Sequence, residues 1–217
     1  MVWLISLAAA AVSLVVWLAA VPRIHIPADD PEDPPPHFPS LPTPTRTVTL
    51  AVATLVATQV LHVLPSDQWL LWAAYIAFGV PLVLVDALTT WLPRRLHMVL
   101  VASMLPGLAW LAVSQPGAAV GALLGAAAGF LVLFVGWRVG SGMGFGDVRL
   151  AAPMGAAAGA GGVQFWFTSL LAATVIGAVW AIIHALRRRA NQQLPGHFPY
   201  GPALWLGPLA GALLSAA

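Results

Sequence analysis

Apolar residues in this chain run on in long blocks and do not alternate with polar ones. Continuous apolar stretches cover about residues 2–21, 48–64, 69–88, 98–113, 118–137, 163–186 and 199–216. Each is close to the roughly 20 residues that a helix needs to cross a bilayer core. An eighth stretch, 148–160, is shorter and reaches only about 20 Å at ~1.5 Å per residue. It is expected as a short crossing, a re-entrant piece, or a helix that starts below the membrane surface. The pattern predicts an all-α, polytopic integral membrane protein of seven to eight transmembrane helices. Residues 1–21 lack the positive n-region and clear cleavage site of a secretory signal and are read as a retained N-terminal transmembrane helix. Residues 22–47 combine many prolines with Asp29, Asp30, Glu32 and Asp33. Such a composition cannot bury a core and predicts a solvated, flexible loop. Residues 48–217 then form the membrane-embedded domain.

The polar residues orient this bundle. All nine cationic residues are arginines. If eight segments cross, Arg23, Arg46, Arg94, Arg95, Arg138, Arg149, Arg187, Arg188 and Arg189 all fall on one side. By the positive-inside rule that side is the cytosol, with both termini outside. The clean split itself favours the short eighth crossing. Trp17, Trp69, Trp72, Trp91, Trp110 and Trp137 lie near predicted helix ends, where an amphipathic ring suits the headgroup layer.

Composition narrows the function classes. The chain is 60% hydrophobic and 7% charged, with a mean hydropathy of +0.89, against about 25% charged residues in soluble domains. Its net charge of +2 is dispersed, so nucleic acid is not an expected partner. There is no cysteine, which excludes disulfides, thiolate zinc sites and a cysteine nucleophile. His25, His37, His62, His97, His184 and His197 are scattered without HExxH spacing, so no metal is expected, and no cofactor.

Of seven acidic residues, four sit in the proline-rich loop and Asp67 follows Pro65 in a short turn. The other two are Asp86, in PLVLVDALTTWLPRR, and Asp147, closing GSGMGFGD. A carboxylate at membrane depth is costly and is read as functional by default. Structural alternatives exist for each: Asp147 as the N-cap of the helix that follows, Asp86 as a carboxylate that snorkels or pairs with Arg94 or Arg95. Two lone carboxylates near one membrane face nevertheless suggest a dyad. Such a pair, poorly solvated and a few ångströms apart, shares one proton and supplies a general base and a general acid. Gly140, Gly142, Gly144 and Gly146 would let the backbone adopt positive φ and a substrate strand approach. The run is not a nucleotide loop, since Phe145 stands where GxGxxG needs glycine. The series Gly121, Gly125, Gly129 and the pairs Gly155/Gly159 and Gly207/Gly211 are small-xxx-small patterns suited to close helix packing.

DALTTWLP, residues 86–93, resembles the first active-site motif of the type IV prepilin peptidases. GFGDVRLAAPMG, residues 144–155, resembles their GxGDxKL motif, with Arg149 where lysine is usual. FPYGPALWLG, residues 198–207, is similar to their Pro-Phe-Gly-Pro segment, with Tyr200 in place of phenylalanine. The three occur in the family's order over about residues 50–217. The resemblance implies an aspartic endopeptidase that cleaves the short basic leader from type IV pilin-like precursors at the cytosolic face of the cytoplasmic membrane. It implies Asp86 and Asp147 as the catalytic pair, with Gly144, Gly146, Pro93, Gly201 and Pro202 at the substrate. Membrane lipid and the precursor are the expected partners. The paired CxxC motifs of methylating members are missing, so a peptidase without N-methyltransferase activity is expected. Presenilin-like and signal-peptide-peptidase-like proteases share the GxGD aspartate, and Pro202-Ala203-Leu204 matches their PAL triplet, but Val85 stands where they place tyrosine. A proton-coupled transporter would also carry intramembrane carboxylates, together with repeated halves that this chain lacks. A non-catalytic assembly subunit is the remaining alternative.

Overall fold

The computed structural model describes residues 1–26, 36–140, 143–191 and 198–216. Among them are eight α-helices and no strand: α1 (Val2–Val15), α2 (Pro44–Ala57), α3 (Trp69–Thr89), α4 (Arg94–Ser114), α5 (Pro116–Arg138), α6 (Phe145–Gly159), α7 (Val163–Ala190) and α8 (Gly201–Ala216). Each lies on one of the eight apolar stretches. Among the described residues five helical segments are long and apolar enough to cross a membrane: Val2–Arg23, Ser66–Thr89, Arg94–Ser114, Pro116–Arg138 and Val163–Arg189. Helices α2, α6 and α8 are shorter, at 14, 15 and 16 residues.

Helices α2, α4, α5 and α6 begin two to four residues before their apolar runs, because capping and backbone conformation, and not hydropathy, set a helix start. In α2 the Thr43 hydroxyl accepts the Arg46 N–H at 3.4 Å and Pro44 occupies the first turn, where its missing N–H costs nothing. Helix α6 starts at Phe145, after Gly144 in extended backbone. The stretch expected as a solvated loop is partly packed where it is described, with Phe38 and Leu41 buried. Its four acidic residues, together with Gly142 and His197, lie outside the described residues.

Helix α3 is the hub and touches α1, α2, α4, α6 and α8. Leu71, Trp72, Tyr75, Ile76, Leu82 and Val85 on it are all but inaccessible. Pro81 interrupts its hydrogen-bond ladder by removing the N–H that would bond the carbonyl four residues back. That carbonyl belongs to Ala77, and the Ser13 hydroxyl of α1 donates to it at 2.6 Å. In a medium without water the freed carbonyl needs such a partner, so the hub and the first helix fit as a pair. Helices α3 and α8 are joined reciprocally: the Tyr75 hydroxyl donates to the Trp205 carbonyl at 2.9 Å and the Trp205 indole to the Tyr75 carbonyl at 3.4 Å.

The glycine patterns mark the closest helix crossings. A Cβ at Gly121, Gly125 or Gly129 on α5 would meet the carbonyls of Gly159, Gly155 and Ala151 on α6. Gly207 and Gly211 abut Ser169 and Ala173 across the α7–α8 seam. Trp17 and Trp72 differ from the headgroup expectation. Both are fully buried, and the Trp17 indole donates to the Thr47 hydroxyl at 3.2 Å, so they serve the core while Trp110 and Trp137 are exposed.

Candidate active site

Asp86 lies in the last turn of α3, and the chain then turns sharply. Thr90 takes a left-handed conformation at φ 60°, with its N–H bonded to the Asp86 carbonyl at 2.7 Å. This conformation is unfavourable for a β-branched residue. The Thr89 hydroxyl steadies the turn, donating to the Val85 carbonyl and accepting the Trp91 N–H at 3.2 Å. The effect is to bring Leu92 and Pro93 back beside α6.

The Asp86 side chain is 3% exposed and its Oδ2 accepts the Gly201 N–H at 2.9 Å. Its hydrogen-bond partner is thus the first residue of α8, and Arg94 and Arg95 are exposed. The snorkelling and ion-pair alternatives for Asp86 do not describe its surroundings. Gly201 is itself buried, and a Cβ there would lie 2.6 Å from Asp86 Oδ2, so only glycine brings this N–H to the carboxylate.

Asp147 is 9% exposed and sits in the first turn of α6. It is not the N-cap. Gly144 holds that position without a side-chain cap, and the Asp147 carboxylate takes a backbone hydrogen bond from Gly144. Asp86 and Asp147 lie within coulombic reach of each other, on separate helices and each beside a helix N-terminus.

The glycines divide by role. Gly140 adopts positive φ at 92°, whereas Gly144 is extended. Gly146 is helical, and its lack of a side chain makes room for Leu92, whose Cβ would be 2.8 Å from a Cβ at that position. Pro93, the N-cap of α4, is buried beside this contact. Pro202, next to Gly201, lines an apolar groove of about 160 Å³ with Leu50, Val83, Ala87, Trp205 and Leu206. The expected site residues therefore gather where the ends of α3, α6 and α8 meet, with Pro202 at the lateral edge.

Leu92, Gly177 and Tyr200 belong to this neighbourhood and were not among the expected site residues. The Tyr200 ring packs on Gly177 of α7, at the place a Cβ would fill, and edge-on to Phe198 at 6.2 Å. Its hydroxyl shares a hydrogen bond with Thr174, whose own proton goes to the Leu170 carbonyl at 2.8 Å. Gly177 sits in the small-xxx-small run Ala173, Gly177 and Ala181, which signals close packing, and its contact with Tyr200 ties it to this neighbourhood. Among the described residues no three His, Cys, Asp or Glu side chains converge as metal ligands.

The family model described as the type IV leader peptidase family matches residues 73–182, just over half of the chain, and that span contains both Asp86 and Asp147. The chain belongs to the type IV leader peptidase family. No curated protein and no solved structure is significantly similar to it. As a member of this family the protein is a peptidase, and its long apolar helices make it a multi-pass membrane protein. The third motif, around Tyr200 and Gly201, lies beyond the matched span, yet it supplies the backbone N–H that holds Asp86.

Proposed function

We propose that this leader peptidase is an aspartic endopeptidase in which Asp86 and Asp147 share one proton and cleave the leader from type IV pilin-like precursors. The carrying observation is the pair itself: two buried carboxylates, on helices far apart in sequence, within coulombic reach inside the family-matched span. The ionised carboxylate takes a proton from water as the water oxygen bonds to the scissile carbonyl carbon. The protonated partner then gives its proton to the departing amide nitrogen as the C–N bond breaks. The Gly201 N–H occupies one lone pair of Asp86 Oδ2 and so orients that carboxylate toward its partner. Gly144, Gly146 and Pro93 line the approach on the α6 side, and Gly201 and Pro202 on the α8 side. No cofactor enters the scheme.

All eight helices cross in this reading, the arginine-bearing ends face the cytosol, and the site opens at the cytosolic face of the cytoplasmic membrane. The one-sided arginine distribution supports that orientation. The reading treats 1–21 as a retained helix, 22–47 as a cytosolic loop and 48–217 as the peptidase domain.

Asp86→Asn and Asp147→Asn test the mechanism. Asparagine keeps the size and can still accept the Gly201 or Gly144 hydrogen bond, but it cannot carry the proton. Each variant is expected to remain folded in the membrane and to lose at least about 10²-fold in cleavage rate of a pilin-like precursor. Cleavage at the wild-type rate by either folded variant would refute the dyad.

A further inference from the structure

Val80, Val83, Leu84 and Ala87 share one face of α3, and all four line the apolar groove that Pro202 borders on α8 and Ala53 on α2. Residues 80 to 87 of a helix extend over about 10 Å at ~1.5 Å per residue. The groove begins beside the two carboxylates' site, with Ala87 next to Asp86 and Pro202 next to Gly201, and follows α3 toward the middle of its spanning segment. Leu50, Val80 and Trp205 form a buried floor, while Thr49, Ala53 and Ala87 are exposed at the rim, so the mouth lies on the outer surface of the bundle. Two lining side chains carry polar atoms, and both are engaged: the Thr49 hydroxyl donates to the Thr45 carbonyl at 3.0 Å and the Trp205 indole to the Tyr75 carbonyl at 3.4 Å. The lining side chains thus offer a guest no hydrogen bond, and only an apolar guest suits them. The volume of about 160 Å³ compares with the ~150 Å³ apolar cavity that accepts a benzene ring. That is room for one large side chain and not for a helix.

We infer that this groove is a specificity subsite: it receives one bulky apolar side chain from the first few residues on the membrane-inserted side of the cleaved bond, and Thr49 and Ala53 on its rim limit the size of that side chain. The inference rests on the proposed leader-peptidase reading, in which the bond is cut at the end of α3. Because a charge is costly at membrane depth, a basic leader is kept out of a groove that runs inward along α3, and the apolar side of the precursor is the part that enters. An extended chain advances ~3.3 Å per residue, so a groove about 10 Å long takes up roughly three residues beyond the bond. The small rim residues allow that backbone to come close.

The test measures kcat/KM of the full chain in nanodiscs on a set of pilin-like precursors in which each of the first four residues after the cleaved bond is set in turn to leucine or alanine. The wild type is expected to favour leucine about tenfold or more at one of these positions, as a filled apolar pocket does. Ala53→Leu and Thr49→Leu fill the groove from exposed positions on α2, a helix that carries neither carboxylate. Each should erase the preference, lowering cleavage of the leucine precursor about tenfold and leaving the alanine precursor within about threefold. Val56→Leu, at an exposed position of α2 outside the groove, should keep the wild-type preference. Equal cleavage of all precursors by the wild type, which a groove holding only a lipid acyl chain would give, overturns the inference and leaves the dyad standing. So does a leucine preference that survives both Ala53→Leu and Thr49→Leu, or one that Val56→Leu removes as well. Failure of the wild type to cut any precursor would overturn the proposed function and this inference with it.

Discussion

Gly201→Ala adds one methyl group at the point where α8 meets Asp86. That Cβ would lie 2.6 Å from Asp86 Oδ2, 3.2 Å from its Cγ and 3.4 Å from Leu150 Cδ2. Against an ordinary non-bonded separation of about 3.5 Å, the first of these is short by nearly an ångström. The carboxylate cannot simply rotate away, because the same oxygen accepts the Gly201 N–H at 2.9 Å. Either Asp86 swings off the site or the start of α8 retreats, and both routes break that bond. Losing a hydrogen bond to a charged group costs roughly 1.5–3 kcal/mol, and misplacing a catalytic group by ~1 Å costs about 10²-fold in rate.

The expected outcome is therefore a fall of about 10²-fold in kcat for precursor cleavage, with KM within about threefold, because the acid–base pair and not the bulk of the substrate contacts is disturbed. The assay is a gel-shift or fluorogenic measurement of leader removal in micelles, with circular dichroism on the same sample. Gly117→Ala and Gly136→Ala on α5 provide the contrast. A Cβ at either meets nothing within 4 Å, so both should keep activity and gain about 0.5–1 kcal/mol from helix propensity. A folded Gly201→Ala enzyme with wild-type kcat would show that the Gly201–Asp86 contact does not hold the reacting carboxylate.

Ser13→Ala should destabilise the protein by about 1–3 kcal/mol, because it strips the Ala77 carbonyl, already deprived by Pro81, of its remaining donor; unchanged unfolding in micelles would contradict this. Gly155→Ala should drive a methyl into the Gly125 carbonyl and cost about 1–3 kcal/mol or more by overpacking two backbones, read as a lowered unfolding temperature. Tyr200→Phe keeps the ring on Gly177 and removes only the Thr174 bond, so activity should stay within about threefold of wild type. This substitution should leave the alkaline limb of the pH–rate profile in place. Disappearance of that limb would make the phenol a participant.

Helix positions were legible because every helix coincides with an unbroken apolar run, and in a membrane such a run has few alternatives. Helix starts were less legible at α2, α4 and α6, where Thr43 and Pro44, Pro93, and Gly144 stand at the boundary and act through capping and backbone conformation, which hydropathy does not register. The tryptophans show a similar limit. Nearness to a helix end does not say which way a ring points, and Trp17 turns inward to Thr47.

The two carboxylates stood out because bilayer burial makes acids scarce. Their surroundings are built instead from Gly201, Gly146, Gly177, Leu92 and Tyr200, whose types carry no charge signal. What matters about Gly201 is a hydrogen bond to a residue 115 positions away, and what matters about Gly146 is the space it leaves for Leu92. Neither property exists until the helices pack. The electrostatics follow the same logic. Asp86 ends α3 but faces the N-terminus of α8, while Asp147 lies in the first turn of its own helix. Two helix N-termini, each worth about half a positive charge, thus meet the two carboxylates. Buried carboxylates can be stabilised this way without an arginine counter-ion, whose full charge would favour ionising both acids.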